Sequence, residues 1–252
     1  MNRCKAAGIH LMLSFLIIIT VLVAMYFLWY PGEYFSLMGG KVLIKLIGFI
    51  DVFLGPLLTL AIFKAGKKGL KFDLFCISIL QIAALSYGIY VMFSARPIFT
   101  VFNKNAFQIA AVVDIAPEEL LKAKQPQWRQ ASVSGSQLVA IGEPNKKDKK
   151  ETIFAHQVTS SAYRYPKLYD DYYKYRVDVI KAGEPLTSLA AGSVEKKTVI
   201  IKFLHKVHRP ATDFLVLPIS SELAEMSAIV DAKTGDFIEI IDARPIVTPR
   251  KK

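Results

Sequence analysis

From Leu11 to Trp29 the chain runs nineteen residues without a charged side chain, and this run constrains everything that follows. At ~1.5 Å per residue, a helix of that length covers roughly 28 Å, the thickness of a bilayer's hydrocarbon core. Two more apolar stretches follow. Val42 to Phe63 is broken by Lys45, Asp51 and Pro56, and Phe72 to Phe93 only by Asp73 and Gln81. The expected fold is a membrane protein with three transmembrane α-helices, residues 1–95, followed by a soluble α+β periplasmic domain, residues 96–252. An apolar content of 53% agrees, being high for a chain wholly in water.

A cleaved signal peptide is the competing reading of the first run. The stretch exceeds the usual ~7 to 15 apolar residues and ends in Trp29, Tyr30 and Pro31 without a small-residue cleavage site, which favours an uncleaved anchor with interfacial aromatics. Orientation follows from charge. Arg3, Lys5 and the hairpin lysines Lys64, Lys67, Lys68 and Lys71 stand against Lys41, Lys45, Arg96 and Lys104. The lysine-rich side is read as cytoplasmic, which places the N-terminus inside and the C-terminal domain outside, in the periplasm if the chain is bacterial.

After Arg96-Pro97 the long apolar runs give way to short ones. Ile98 to Phe102 and Ala106 to Val113 read as strands joined at Asn103-Lys104-Asn105. Pro117 with Glu118 and Glu119 reads as the opening of a helix that ends before Pro126. Glu143 to Lys150 reads as a loop and Glu151 to Thr159 as a helix, while Val194 to Val207 fits helix or strand. Phe214 to Leu217 reads as a strand, and Met226 to Ile241 as a hairpin turning at Thr234-Gly235.

Within the second apolar stretch, Gly48, Asp51, Gly55 and Thr59 recur at α-helical spacing, a small and polar face on which another helix could pack. Asp51 is costly in hydrocarbon, by ~2.5 to 3.5 kcal/mol if ionised, so it bonds within the bundle, for instance to Gln81, or meets a partner. Gly55-Pro56 should kink the helix and free the Val52 carbonyl. Gln81, Ala84 and Gly88 form a second such stripe. The candidate helix contacts are therefore Asp51, Gly55, Pro56, Gln81 and Gly88. In the soluble part, Tyr163, Tyr165, Tyr169, Tyr172 and Tyr173 lie in a stretch mixing aromatics with both charges; they are either core tyrosines or contacts to a partner.

Other chemistries find little footing. His205 and His208 have no third ligand at fitting spacing. No nucleophile elbow, phosphate-cradling loop or His-Glu-x-x-His is present, so the chain is read as a non-enzyme without cofactor or metal. Interspersed acids among the lysines, without an RNA-binding signature, argue against nucleic acid. Cys4 and Cys76 both lie in or beside the apolar stretches, so the soluble part has no disulfide.

Several segments in order resemble the TfpX/TfpZ family of type IV pilin accessory (fimbrial assembly) proteins. They are Gly8-Ile9-His10, Trp29-Tyr30-Pro31, the run from Asp51 to Leu60, Lys68 to Leu74, Gln81 with Ala83-Ala84-Leu85, Tyr87-Gly88 and Arg96-Pro97. Val230-Asp231, Thr234-Gly235 and Arg244-Pro245 continue the match. The resemblance implies a factor that partners a type IV pilin subunit and modulates its assembly or surface display. A membrane-anchored sensor is the second reading, disfavoured because only short basic segments are expected in the cytoplasm; a small transporter or an enzyme is the third.

Overall fold

The computed structural model describes residues 2–143, 154, 157–190 and 193–244, apart from the side chains of Leu43, Leu46, Ile47, Ile50 and Asp51. Helix α1 (Arg3–Leu28) opens at Asn2, whose side-chain oxygen accepts from the Lys5 amide. Helix α5 (Leu70–Ser94) starts after Gly69, at φ 85° a left-handed position that suits glycine, and holds Asp73 in its first turn. Both are long and apolar enough to cross a membrane, yet only 17% and 6% of their most apolar windows are buried in the protein. The core helix of a water-soluble protein would hide its apolar surface; these leave theirs outward.

Between them lie α2 (Tyr34–Leu37), α3 (Gly40–Gly48), a π-helical segment Phe49–Leu54 and α4 (Gly55–Ile62). The third long apolar helix expected over Val42 to Phe63 is thus three shorter pieces in succession. The reason is local. Pro56 has no N–H to return to the Val52 carbonyl, and its ring crowds the preceding turn, so the backbone widens there instead of continuing as α-helix. The expected face assumed an unbroken α-helix, and the change of pitch separates Gly48, with nothing near it, from the buried Gly55 and Thr59.

The rest of the described chain builds one mixed sheet. Its strands are β1 (Pro97–Asn103), β2 (Ala106–Ala111), β3 (Gln137–Ile141), β4 (Tyr169–Asp171), β5 (Glu184–Pro185), β6 (Phe214–Ser220), β7 (Glu225–Asp231) and β8 (Phe237–Ile241). The order is β4-β3-β1-β2-β6-β7-β8, with β5 also pairing β6. β1 runs parallel to β3 and β2 parallel to β6; the other pairs are antiparallel. Both expected hairpins are present, the first turning through Lys104 at φ 59°. Strand β2 stops at Ala111, two residues short of the expected Val113, because Val112–Asp114 closes into a 3-10 turn with the Asp114 carboxylate on the Ala111 amide. Helix α6 is the single turn Pro117–Leu120. Helix α7 covers Arg176–Ala182 and α8 covers Val194–Val207, which settles the ambiguous segment as helix. The loop expected over Glu143 to Lys150 and the helix over Glu151 to Thr159 lie mostly outside the described residues.

One face of the sheet carries Phe102, Phe107, Ile109, Leu217, Ile219, Ala228 and Val230, and the same cluster takes in Met25, Tyr30, Leu37, Met38 and Met92 from the helical region. The opposite face packs in two halves. Phe99 and Val101 meet Ile115, Trp128 and Tyr169, while Phe214, Val216 and Ile229 meet Ile200 and Phe203 of α8. Neighbouring residues thus fall on different faces: Val101 and Phe102 separate as the two-residue period of a strand requires.

The β7–β8 turn is locked by Asp231. Its carboxylate accepts from the Lys233 and Thr234 amides at 2.8 and 2.9 Å and from Arg209 Nη2 at 2.8 Å. Burial pushes this carboxyl up, but those three donors outweigh it and bring the pKa down from 3.8 to about 2. A depressed carboxyl stabilises the fold above its unfolded value and loses that contribution as pH falls through the folded one. Acid unfolding of the detergent-solubilised protein, followed by circular dichroism, should therefore show a loss of stability between about pH 4 and pH 2, and Asp231→Asn should flatten it.

Candidate functional site

The N-terminal helices meet along a seam of small and polar side chains. Helix α1 lies against α4, where His10 Nδ1 and Thr59 Oγ1 are 2.6 Å apart, and Thr59 is buried. One turn further along α1, Ser14 is buried as well. Gly55 and Pro56 are both buried at the start of α4. A Cβ on Gly55 would lie 1.9 Å from Gln81 Nε2 of α5, so the absence of a side chain is what lets these two helices approach. Gly48, by contrast, has open space around it.

Of the helix contacts expected from sequence, Gly55, Pro56 and Gln81 are thus brought together, and Gly88 is half-buried on α5 two turns beyond Gln81. The backbone of Asp51 lies in the π-helical segment; its side chain is outside the described ones. His10, Ser14 and Ser78 were missed as candidates. A signal was there: His10 and Ser14 stand four apart across the start of the first apolar run, and Ser78 and Gln81 three apart within another, so each pair shares a helix face.

The tyrosine stretch divides by burial. Tyr163, Tyr169 and Tyr172 belong to the core, which removes these three from any contact surface. The Tyr169 hydroxyl donates to the Tyr163 carbonyl and that of Tyr172 to the Gly235 carbonyl at 2.6 Å. Burial raises the pKa of both phenols, so they stay neutral donors. Tyr163 donates to Glu222, which also pairs with Arg164 at 2.6 Å. Tyr165 is half-buried, edge-on to Phe154, and Tyr173 is 61% exposed beneath the Arg176 guanidinium. Alternation explains the division: Tyr169 opens strand β4 facing inward, and Tyr172 opens the 3-10 turn that returns the chain to α7.

The helices and sheet are joined by hydrogen bonds rather than a loose linker. Tyr30 Oη donates to the Met92 carbonyl at 2.6 Å, Tyr34 Oη and Thr100 Oγ1 are 2.6 Å apart, and Ser221 Oγ donates to the Leu37 carbonyl at 2.6 Å. Arg96 is buried, stacked 3.7 Å above the Phe93 ring. It donates to the Phe93 and Ser132 carbonyls, placing its charge at the negative end of α5. A groove of about 810 Å³ opens beside this junction, between residues 31–36, α8 and β8. Its charges oppose one another, as in Lys206 with Glu239. His205 lies in the last turn of α8 and His208 caps it at φ 52°; among the described residues no three metal-ligating side chains gather.

The structure therefore defines a helical bundle with its apolar surface uncovered, fused to an α+β domain. Searches against family models and against solved structures each find no match. Among characterised proteins, the chain is 33% identical over 234 residues to the fimbrial assembly protein of serogroup E1 from Dichelobacter nodosus, covering 90% of each. It is 30% identical over 233 residues to that of serogroup I, again covering 90% of each. To the protein of serogroups C1 and C2 from the same organism it is 38% identical over 122 residues, 47% of this chain and 92% of that one. The chain belongs to the fimbrial assembly protein family.

The seam predicts a contrast between two glycines. Gly55→Leu must displace Gln81 and separate α4 from α5, and should lower the yield and melting temperature of the detergent-solubilised protein. Gly48→Ala should leave both unchanged or raise stability by up to about 1 kcal/mol, since alanine is the better helix former.

Proposed function

We propose that the protein is an accessory factor of the bacterial inner membrane that binds a type IV pilin subunit and modulates its stability, assembly or surface display. The observation that carries this is the alignment with fimbrial assembly proteins over 90% of the chain, helices and sheet together. Uncovered apolar surface on α1 and α5 supports membrane integration. The helical path from Gly40 to Ile62 supplies the third crossing, since twenty or so residues suffice even when the pitch changes. Lys64, Lys67 and Lys68 in the connection to α5 favour a cytoplasmic N-terminus and a periplasmic sheet.

In this reading the outer flank of the helical seam, with Gln81 and Gly88 and with Asp51 as a further candidate, meets the pilin's membrane segment, while the buried Gly55 and Pro56 hold α4 against α5. The exposed part of the tyrosine stretch, Tyr165 and Tyr173, meets its head. Two weak contacts on one rigid body raise the effective affinity of each. No catalytic role is proposed.

Two measurements test the reading. The tagged full-length protein, solubilised mildly from cells making the cognate pilin, should copurify pilin; deletion of its gene should change pilin level on immunoblots or the number of surface fibres. Unchanged pilin level and fibre counts together with no copurification would refute it. For orientation, alkaline phosphatase fused after residue 244 should be active and a fluorescent protein fused there dark; the opposite pattern would place the sheet in the cytoplasm, away from exported subunits.

A further inference from the structure

We infer that a cavity between α1 and α5 seats a hydrogen-bonding side chain, a carboxyl or carboxamide, carried by a partner's membrane helix; the inference rests on the accessory role proposed above. The cavity measures about 180 Å³ and is open on its outer side. Its polar wall is made by His10, Ser14, Ser78 and Gln81, and isoleucines and a leucine of the same two helices close the rest. This is the polar seam seen from outside, at the flank where α4 does not reach.

Three observations assign the occupant. Ser14 is only 8% exposed and lines the cavity, and its hydroxyl faces that space instead of bonding to a described neighbour. A hydroxyl left so in an apolar layer costs free energy that an incoming acceptor or donor would recover. His10 uses Nδ1 on Thr59, which leaves Nε2 as the ring atom still able to bond on the cavity side. The volume holds the end of one side chain, on the order of a few water molecules, and not the girth of a helix.

Depth then decides what brings that side chain. Ser14, Ser78 and Gln81 lie about one to two turns inside apolar runs that begin at Leu11 and Leu74. Lipid headgroups and their ester linkages sit outside those runs, at the level of Lys5 and Lys71. A polar group that reaches Ser14 and Gln81 must therefore travel in the apolar layer itself, on a helix that crosses it. There a carboxyl would stay protonated and donate as well as accept, matching the Ser14 and Ser78 hydroxyls and the His10 imidazole.

The experiment places a photoreactive residue at Ile82, on the cavity wall, or at Leu80, which is 61% exposed on another face of α5. The full-length protein is irradiated in cells that make the pilin. A pilin adduct from position 82 and not from 80 is the expected result. Ser14→Leu, which fills the cavity, should cut that adduct at least tenfold, and Ser14→Ala, which keeps the space but removes the hydroxyl, severalfold. Should Ser14→Leu reduce the amount of protein, Ser14→Ala decides: an adduct at wild-type yield overturns the inference. Lipid adducts alone from position 82, while pilin still copurifies, also overturn it and leave the accessory role standing. Loss of copurification with the unsubstituted protein removes both.

Discussion

The sheet rests on the ends of the helices, and the remaining architecture depends on that contact. Phe102, Phe107, Ile109, Leu217 and Ile219 form an apolar face that would otherwise lie open to water; Met25, Tyr30, Leu37, Met38 and Met92 close it. Burial of each such side chain contributes about 1.5 to 3 kcal/mol, so the face and its cover stabilise each other. The polar groups caught in the junction are satisfied there. Tyr30 takes a carbonyl at the end of α5, Ser221 takes one at the end of α2, and Arg96 fills the C-terminal end of α5. Only Ala95 and Arg96 separate α5 from β1.

How much of this was legible in the sequence depended on the range of the interaction. The apolar runs of α1 and α5 and the hairpins β1–β2 and β7–β8 are local, and their signals, uncharged length and a turn between alternating residues, sit in the segment itself. Strands β3, β4 and β5 passed unread because their pairing is remote. Gln137–Ile141 lies parallel to β1 some forty residues earlier, and the three residues of β4 sit inside a stretch whose tyrosines spoke more loudly than its backbone. Helix α8 was ambiguous for a related reason: Val199, Ile200 and Ile201 favour strand locally, and packing of Ile200 and Phe203 on the sheet decides for helix.

The candidate site was half legible. Gly55 packs against Gln81 within the bundle, as small residues on facing helices allow, but the phase connecting it to Gly48 was misread, because an unbroken α-helical pitch was assumed through Pro56. A proline tells where a helix is disturbed and not how the disturbance is absorbed; here a π-helical segment takes it up before the proline. For the tyrosines the sequence left core packing and partner contact both open, and long-range structure divides them: Tyr163, Tyr169 and Tyr172 are held inward by strand register and by hydrogen bonds to backbone carbonyls and to Glu222.

The close junction also bears on the proposed role. A factor that grips a subunit in the membrane and again outside it gains from two contacts only if their separation is held near the right value, because a loose tether spreads the second site over a larger volume. In this chain the separation is set by a shared core, with Tyr34 bonded to Thr100 and the Gly135 amide to the Leu28 carbonyl at 3.1 Å. Displacement of the helices by an occupant of the seam would therefore be felt by the sheet through Met92 and Tyr30, and the reverse holds equally. The gain from two contacts needs no signalling domain: a rigid joint between them is sufficient for binding at one to raise the effective concentration at the other.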